Sequence, residues 1–354
     1  MPTAIETFYL QTPDEQIAAL RQMAEAALAQ WPGTFTGLAP VKYRENAVFS
    51  VYRDDGRRFA VRIHRHGYHS AAALRSELVW MRALADAGVG APAAALSHGG
   101  EALVTVTHPA VPEPRQVDFL DWLPGTPIGS ADDGLTLTGA EAIAAMEKVG
   151  ALAARVHNHS RTWTGAGTMV RHAWDEDGLI GSEPFWGQFW KMPGLTEAQV
   201  ALLQRARVQA AADLAAFGKD GDRYGLIHAD FVPENMLFDG EQVNLIDFDD
   251  CGFGWHMFEL ATALFFLGHQ SDYEQLMQAL LRGYRQQRAL PPEHEALLPL
   301  FLFLRGTTYL GWMQTRYETE AAQTQGPMII ERTCALAERY LSATADKTRP
   351  SKKG

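Results

Sequence analysis

One stretch of the chain concentrates the residues able to do chemistry: LIHADFVPENMLFDGEQVNLIDFDD, positions 226–250. Met236–Phe238 and Val243–Ile246 are short apolar runs of strand character, and Asp239-Gly240-Glu241-Gln242 between them has turn composition. A hairpin centred on 240 or 241 brings Asn235 and Asp247 to one open end, where facing residues have Cβ atoms roughly 4.5–5.5 Å apart. An amide oxygen and a carboxylate held that close suit a hard cation such as Mg2+, which takes few protein oxygens and shares the rest of its shell with phosphates. Asp230 reaches the same end from a loop, five residues before Asn235. Free of any need to ligate metal, its carboxylate suits a base that accepts or orients a hydroxyl proton, and His228 and Pro233 shape the loop. Asp249 and Asp250 follow at once and suit a cationic substrate or a second metal; a solvated loop is the plainer reading.

Two aromatic regions are candidates for the acceptor pocket. Trp163, Trp174, Trp186 and Trp190 fall just before the Asp230 loop. Arg305, Tyr309, Trp312 and Arg316 recur at +4, +3 and +4 and so share one helical face. That face binds a carboxylate-bearing substrate, or it is helix packing with snorkelling arginines.

Other chemistries are excluded. Two cysteines, Cys251 and Cys334, give neither a disulfide framework nor a zinc ribbon, and His64, His66 and His69 lack metal-ligand spacing. There is no P-loop and no nucleophile elbow. A net charge of −11 without a basic stripe argues against nucleic acid. The opening MPTAIETFYLQTPDEQ has no signal-peptide pattern. The apolar runs Leu260–Leu267 and Ala296–Leu304 fall short of the ~20 residues that span a bilayer. A cytoplasmic protein with no membrane partner is expected.

The elements that must position these residues divide into two parts. Helix at Asp14–Gln30, strands at Tyr43–Tyr52 and Arg58–His64 joined by an Asp54-Asp55-Gly56 turn, helix at Ala71–Ala87, and strands at Leu103–Val106 and Val117–Trp122 make a small antiparallel lobe, 1–123. A Pro/Gly-rich stretch from Leu123 opens a helical lobe, 124–345, with helices at Ala140–His157, Glu197–Phe217, Met257–His269, Asp272–Gln287, Glu293–Glu318 and Met328–Ala343. A basic tail, 346–354, is expected to fray.

His228-x-Asp230-x4-Asn235 followed by Ile246-Asp247-Phe248-Asp249 resembles the catalytic and metal-binding segments of protein-kinase-like phosphotransferases. The wording HADFVPEN…NLIDFDDCGFG…ELA is similar to the aminoglycoside phosphotransferase/choline kinase family, nearest the branch of type II homoserine kinases and the bacterial stress-response Ser/Thr kinase. The resemblance covers nearly the whole chain. It implies an α+β, protein-kinase-like bilobal fold and transfer of the γ-phosphoryl group of ATP, with Mg2+, to a hydroxyl. Asp230 is then the catalytic base, and Asn235 and Asp247 hold Mg2+. Arg62 stands on the strand of the ATP-phosphate lysine and Glu77 is its helix partner. Arg44–Phe49 is the loop over the nucleotide, with Asn46 and Ser50 as phosphate contacts, and Phe119–Leu123, including Asp121, is the adenine hinge. The chain departs from the family pattern in carrying Arg62 for lysine, a glycine-free nucleotide loop, and Glu259 where aspartate is common; Glu259 reads as a support of the catalytic loop. The favoured acceptor is a small metabolite such as homoserine or an amino alcohol. The alternatives are a Ser/Thr protein kinase, an aminoglycoside-type antibiotic kinase and a non-catalytic nucleotide-binding regulator. No oligomeric state is implied.

Overall fold

The computed structural model describes residues 3–131 and 133–348. The chain divides into two compact units: Met1–Gly125 with Gly167–Val170 and Asn244–Ile246, and Thr126–Ala166 with Arg171–Val243 and Asp247–Gly354. The fold is α+β, as expected.

The first unit runs α1 (Ala4–Tyr9), α2 (Pro13–Ala27), β1 (Phe35–Tyr43), β2 (Ala47–Arg53), β3 (Arg58–Ile63), α3 (Ala71–Asp86), β4 (Leu103–His108) and β5 (Val111–Asp121). Its sheet has the order β1-β2-β3-β5-β4, with every neighbour antiparallel. The Asp-Gly turn joins β2 to β3, with Gly56 at φ 81, a left-handed position that glycine takes without a Cβ penalty. Strand alternation puts Phe49 and Val51, Phe59, Val61 and Ile63, and Val117 and Phe119 into one core with Leu20, Met23, Ala24 and Ala27 of α2. Each such large side chain contributes about 1.5–3 kcal/mol on burial. The same alternation turns Arg62 and Asp118 to the other face, directly opposite one another in the β3–β5 register. On α3 the buried stripe Leu74, Leu78, Met81 and Leu84 includes one charged member, Glu77.

The single strand expected at Tyr43–Tyr52 is in fact the end of β1, a bend at 44–46 and β2. Most of β1 was not expected from the sequence, because it has no buried face to impose alternation and carries Gly37 and Pro40.

The second unit contains β6 (Thr126–Pro127), β7 (Gly129–Ser130), β8 (Gly134–Leu135), α4 (Gly139–Thr162), β9 (Ala173–Trp174), α5 (Glu176–Ile180), α6 (Glu197–Phe217), β10 (Tyr224–Ile227), β11 (Met236–Phe238), β12 (Val243–Leu245), β13 (Gly252–Trp255), α7 (His256–Phe265), α8 (Tyr273–Gln287), α9 (Pro292–Glu295), α10 (Leu298–Gln314) and α11 (Glu320–Thr348). The last two residues of β12 count with the first unit. Helices α4 and α8 meet at Gly150 and Gly283, where a Cβ would come within 1.9 Å of the Leu280 carbonyl oxygen and 1.7 Å of that of Glu147. No other residue fits there.

The helix expected at Glu293–Glu318 is divided at 296–297. Pro299 offers no N–H and its ring opposes a helical carbonyl one turn back, so α10 restarts with proline in its first turn. The segment Pro292–Gln314 is long and apolar enough to cross a membrane by composition, but 72% of that window is buried inside the fold, as in a core helix. Helix α11 continues through Thr348, so the first residues of the expected tail are helical, and 349–354 lie outside the described residues. Strand β10 pairs antiparallel with β13, which pairs parallel with β9; this small sheet carries the loops that hold the acidic residues.

Candidate active site

Beyond Ile227 the chain turns through Ala229 at φ 65, a conformation that costs a residue with a Cβ roughly 1–2 kcal/mol. Glu259 of α7 holds this turn. Its Oε1 accepts the His228 N–H and its Oε2 the Ala229 N–H, both at 2.8 Å. Burial pushes the Glu259 carboxyl upward, opposed by His228 and by these backbone donors.

The turn presents Asp230, whose side chain is 22% exposed. Its two oxygens have different partners. Oδ2 accepts from Asn235 Nδ2 at 2.7 Å, and Oδ1 accepts from Arg305 Nη2 at 2.7 Å. The short turn Pro233–Asn235 places Asn235, whose Nδ2 also donates to the Asp230 carbonyl at 3.1 Å. With Nδ2 engaged, Oδ1 is the Asn235 atom suited to a cation. Asp247, just past β12, also has φ 65; it and Ala229 are the non-glycine residues with left-handed backbone among those described.

The next loop is strapped through its backbone. Arg171 donates to the carbonyls of Cys251, at 2.7 Å, and Asp249, and Trp174 Nε1 donates to that of Asp250 at 2.8 Å. The Asp250 carboxyl oxygen Oδ1 is buried with no hydrogen-bond partner. Burial raises Asp250 well above the carboxylate range, reinforced by Asp230, Asp249 and Asp247 and opposed by Arg305. Among the described residues no group of three His, Cys, Asp or Glu side chains is arranged to hold a metal. The Asn235 amide oxygen and the Asp247 carboxylate are oxygen donors of the type that Mg2+ takes, in a region where Asp230, Asp247 and Asp249 all act on Asp250.

Arg305 is fully buried on α10. It donates to the Ala229 carbonyl at 3.0 Å, to Asp230 and, at 2.5 Å, to the Tyr309 hydroxyl. By sequence this face is either a site for an acceptor carboxylate or helix packing; in the structure Arg305 is turned to Asp230. Trp312 carries Arg316 over its ring at 4.8 Å. Of the clustered tryptophans, Trp174 and Trp186 meet edge to face at 5.2 Å, and the Arg305 guanidinium lies 5.5 Å from the Trp186 ring.

The first unit holds a separate charged cluster. Arg62 binds Asp118 through Nε at 3.0 Å and Nη2 at 2.7 Å, and binds Glu77 through Nη2 at 2.8 Å. His64 Nε2 is 2.8 Å from the same carboxylate. All four side chains are buried. Burial alone would raise Asp118, but Arg62 and His64 outweigh it and hold the carboxyl at about 2. The Arg62–Glu77 pair is therefore present as expected, while Asp118, which takes the guanidinium fork, was missed; a charge inside the apolar run Val117–Trp122 was its signal. Asn46 caps the Arg65 N–H at 3.2 Å, and Ser50 is buried within β2. Asp121 donates its N–H to Ala93 at 3.0 Å and holds Arg57 at 2.5 Å.

An antiparallel sheet with its helix, followed by a mainly helical second part, is the architecture of a kinase-type phosphotransferase acting on small molecules. Residues 39–298 match the phosphotransferase enzyme family (APH), and the chain belongs to that family. A microcompartment-associated aminopropanol kinase has a similar structure, with 32% identity, 93% of this chain and 99% of that chain covered, and a TM-score of 0.79. An amicoumacin kinase in complex with AMP-PNP, Ca2+ and Ami shares the fold at 19% identity and a TM-score of 0.72, covering 93% of this chain and 96% of the other. The amicoumacin kinase of Bacillus subtilis (strain 168) is 22% identical over 288 residues, 77% of this chain and 79% of that protein.

Proposed function

We propose that the protein transfers the γ-phosphoryl group of ATP to the hydroxyl of a small amino alcohol. The observation that carries this reading is Asp230, held by both oxygens beside a second carboxyl, Asp250, whose Oδ1 is buried without a partner. A hydroxyl directed at Asp230 would place a neighbouring ammonium near Asp250, whose ionised form, disfavoured by burial and the surrounding aspartates, that cation would stabilise. A substrate carboxylate would meet no free cation in Arg305, which is engaged by Asp230, Ala229 and Tyr309. This favours an amino alcohol over homoserine, in keeping with the similarity to an aminopropanol kinase.

In the reaction, the acceptor oxygen forms a bond to the γ-phosphorus as the bond to the ADP oxygen breaks, and Asp230 takes the acceptor's proton. Asn235 and Asp247 would hold Mg2+, which when bound neutralises phosphate charge. Glu259 keeps the strained loop, and with it Asp230, in place. For the first unit, the proposed roles are Arg62 near phosphate with Glu77 as its partner, Asn46 and Ser50 in the phosphate-facing loop, and Asp121 in the adenine hinge. The Asp118 fork restrains Arg62, which would have to exchange a carboxylate to contact phosphate directly.

The second reading is an antibiotic acceptor, prompted by the two amicoumacin kinases. The test is a coupled ADP-release screen with Mg-ATP and 1-amino-2-propanol, ethanolamine, homoserine, 1,2-propanediol, amicoumacin, aminoglycosides and casein. Turnover led by the amino alcohols supports the proposal. Preference for homoserine or the diol, or turnover with casein alone, contradicts it.

A further inference from the structure

We propose that Arg305, seated by Tyr309, is a positioning residue for Asp230 and not an acceptor-binding group. This rests on reading Asp230 as the acceptor's base.

The catalytic carboxylate is gripped from two elements far apart in sequence. Asn235 holds Oδ2 from the loop itself, and Arg305 holds Oδ1 from α10, 75 residues later. The same guanidinium donates to two successive residues. Nη1 donates to the carbonyl of Ala229, the strained residue, while Nη2 donates to the Asp230 side chain. One planar fork thereby fixes both the backbone turn and the side-chain plane, which a lysine ammonium has no geometry to do.

The fork is itself held. The guanidinium carbon lies 4.4 Å from the Tyr309 ring, 5.5 Å from Trp186 and 5.6 Å from Phe258. Tyr309 is wedged by Phe265 at 5.0 Å and Phe266 at 4.9 Å, and its hydroxyl accepts from Nη2. Burial opposes the charge on Arg305, but Tyr309, Asp230 and Asp250 outweigh it, so the guanidinium stays charged. At zero exposure, Arg305 has no surface for an acceptor to touch. A base displaced by about 1 Å costs on the order of a hundredfold in rate, and α10 supplies the restraint that prevents it.

The experiment compares full-length wild type with Arg305→Lys, Tyr309→Phe and Asp230→Asn, measuring kcat, both KM values and thermal stability with Mg-ATP and the best acceptor of the screen. Arg305→Lys is expected to lower kcat about 10–100-fold while KM for ATP and acceptor stays within about threefold. Tyr309→Phe, which keeps the packing and removes the hydroxyl, is expected to lower kcat about 3–10-fold. A wild-type kcat in Arg305→Lys overturns the proposal, as does a loss confined to acceptor KM, which would put Arg305 on the substrate. If Arg305→Lys does not fold, Tyr309→Phe decides alone: unchanged kcat overturns the proposal and reduced kcat at unchanged KM supports it. Asp230→Asn separates the two claims. Its retained turnover would remove the reading of Asp230 itself, whereas an inactive Asp230→Asn beside a fully active Arg305→Lys removes only the positioning role.

Discussion

Asp118→Asn offers a quantitative test of the buried cluster in the first unit. Asp118 titrates from 3.8 down to about 2 when folded beside Arg62 and His64. At about 1.4 kcal/mol per unit, that difference is worth about 2 kcal/mol of folding stability. Because the folded value lies below the unfolded one, the contribution is complete above pH 4 and is lost as pH falls through 2. Arg62 would keep Glu77 as a partner, so the cost of an unpaired buried charge is only partly incurred. The variant is therefore expected to be less stable by about 2–4 kcal/mol at pH 7. About 1 kcal/mol of that deficit should disappear by pH 3. Urea unfolding of both proteins at pH 7 and pH 3 measures it. Equal stability at pH 7, or a deficit that does not change with pH, would refute the argument that the ion pairs outweigh burial at this site.

Other substitutions test the second unit. Asp250→Asn should raise KM for amino alcohols by about 10-fold or more while leaving weak turnover of 1,2-propanediol unchanged, read by steady-state kinetics. Glu259→Gln replaces one acceptor by a donor facing a backbone N–H; it should destabilise by about 1–3 kcal/mol in thermal unfolding and reduce kcat. Ala229→Gly removes the Cβ penalty at φ 65 and should leave stability unchanged or raise it by up to about 1 kcal/mol. Asp247→Ala should abolish transfer while its circular dichroism matches wild type.

The sequence was most legible where local chemistry and periodicity agreed. Asp239–Gln242 forms its turn, with the Asp239 carboxylate accepting from the N–H groups of Glu241 and Gln242. The helix expected at Glu197–Phe217 has those same limits, set by the Thr196 capping box and Gly218. Asp230 and Asn235 come together as the spacing suggested. What the sequence hid depends on tertiary pairing. Asp118 acquires meaning only through the β3–β5 register, and Arg305 reaches Asp230 only because α10 is buried against that loop. Helical spacing showed that Arg305 and Tyr309 share a face but not which partner that face meets. Strands β10 and β13 are four residues each, too short for alternation to declare them.

The central claim, that Asp230 directs an amino alcohol's hydroxyl at ATP, is tested most directly by following the product by 31P NMR and mass spectrometry. Wild type, Mg-ATP and 1-amino-2-propanol should give an O-phosphorylated amino alcohol with one ADP per product, and Asp230→Asn should give neither. A phosphorylated amine nitrogen, or undiminished product from Asp230→Asn, would contradict the account.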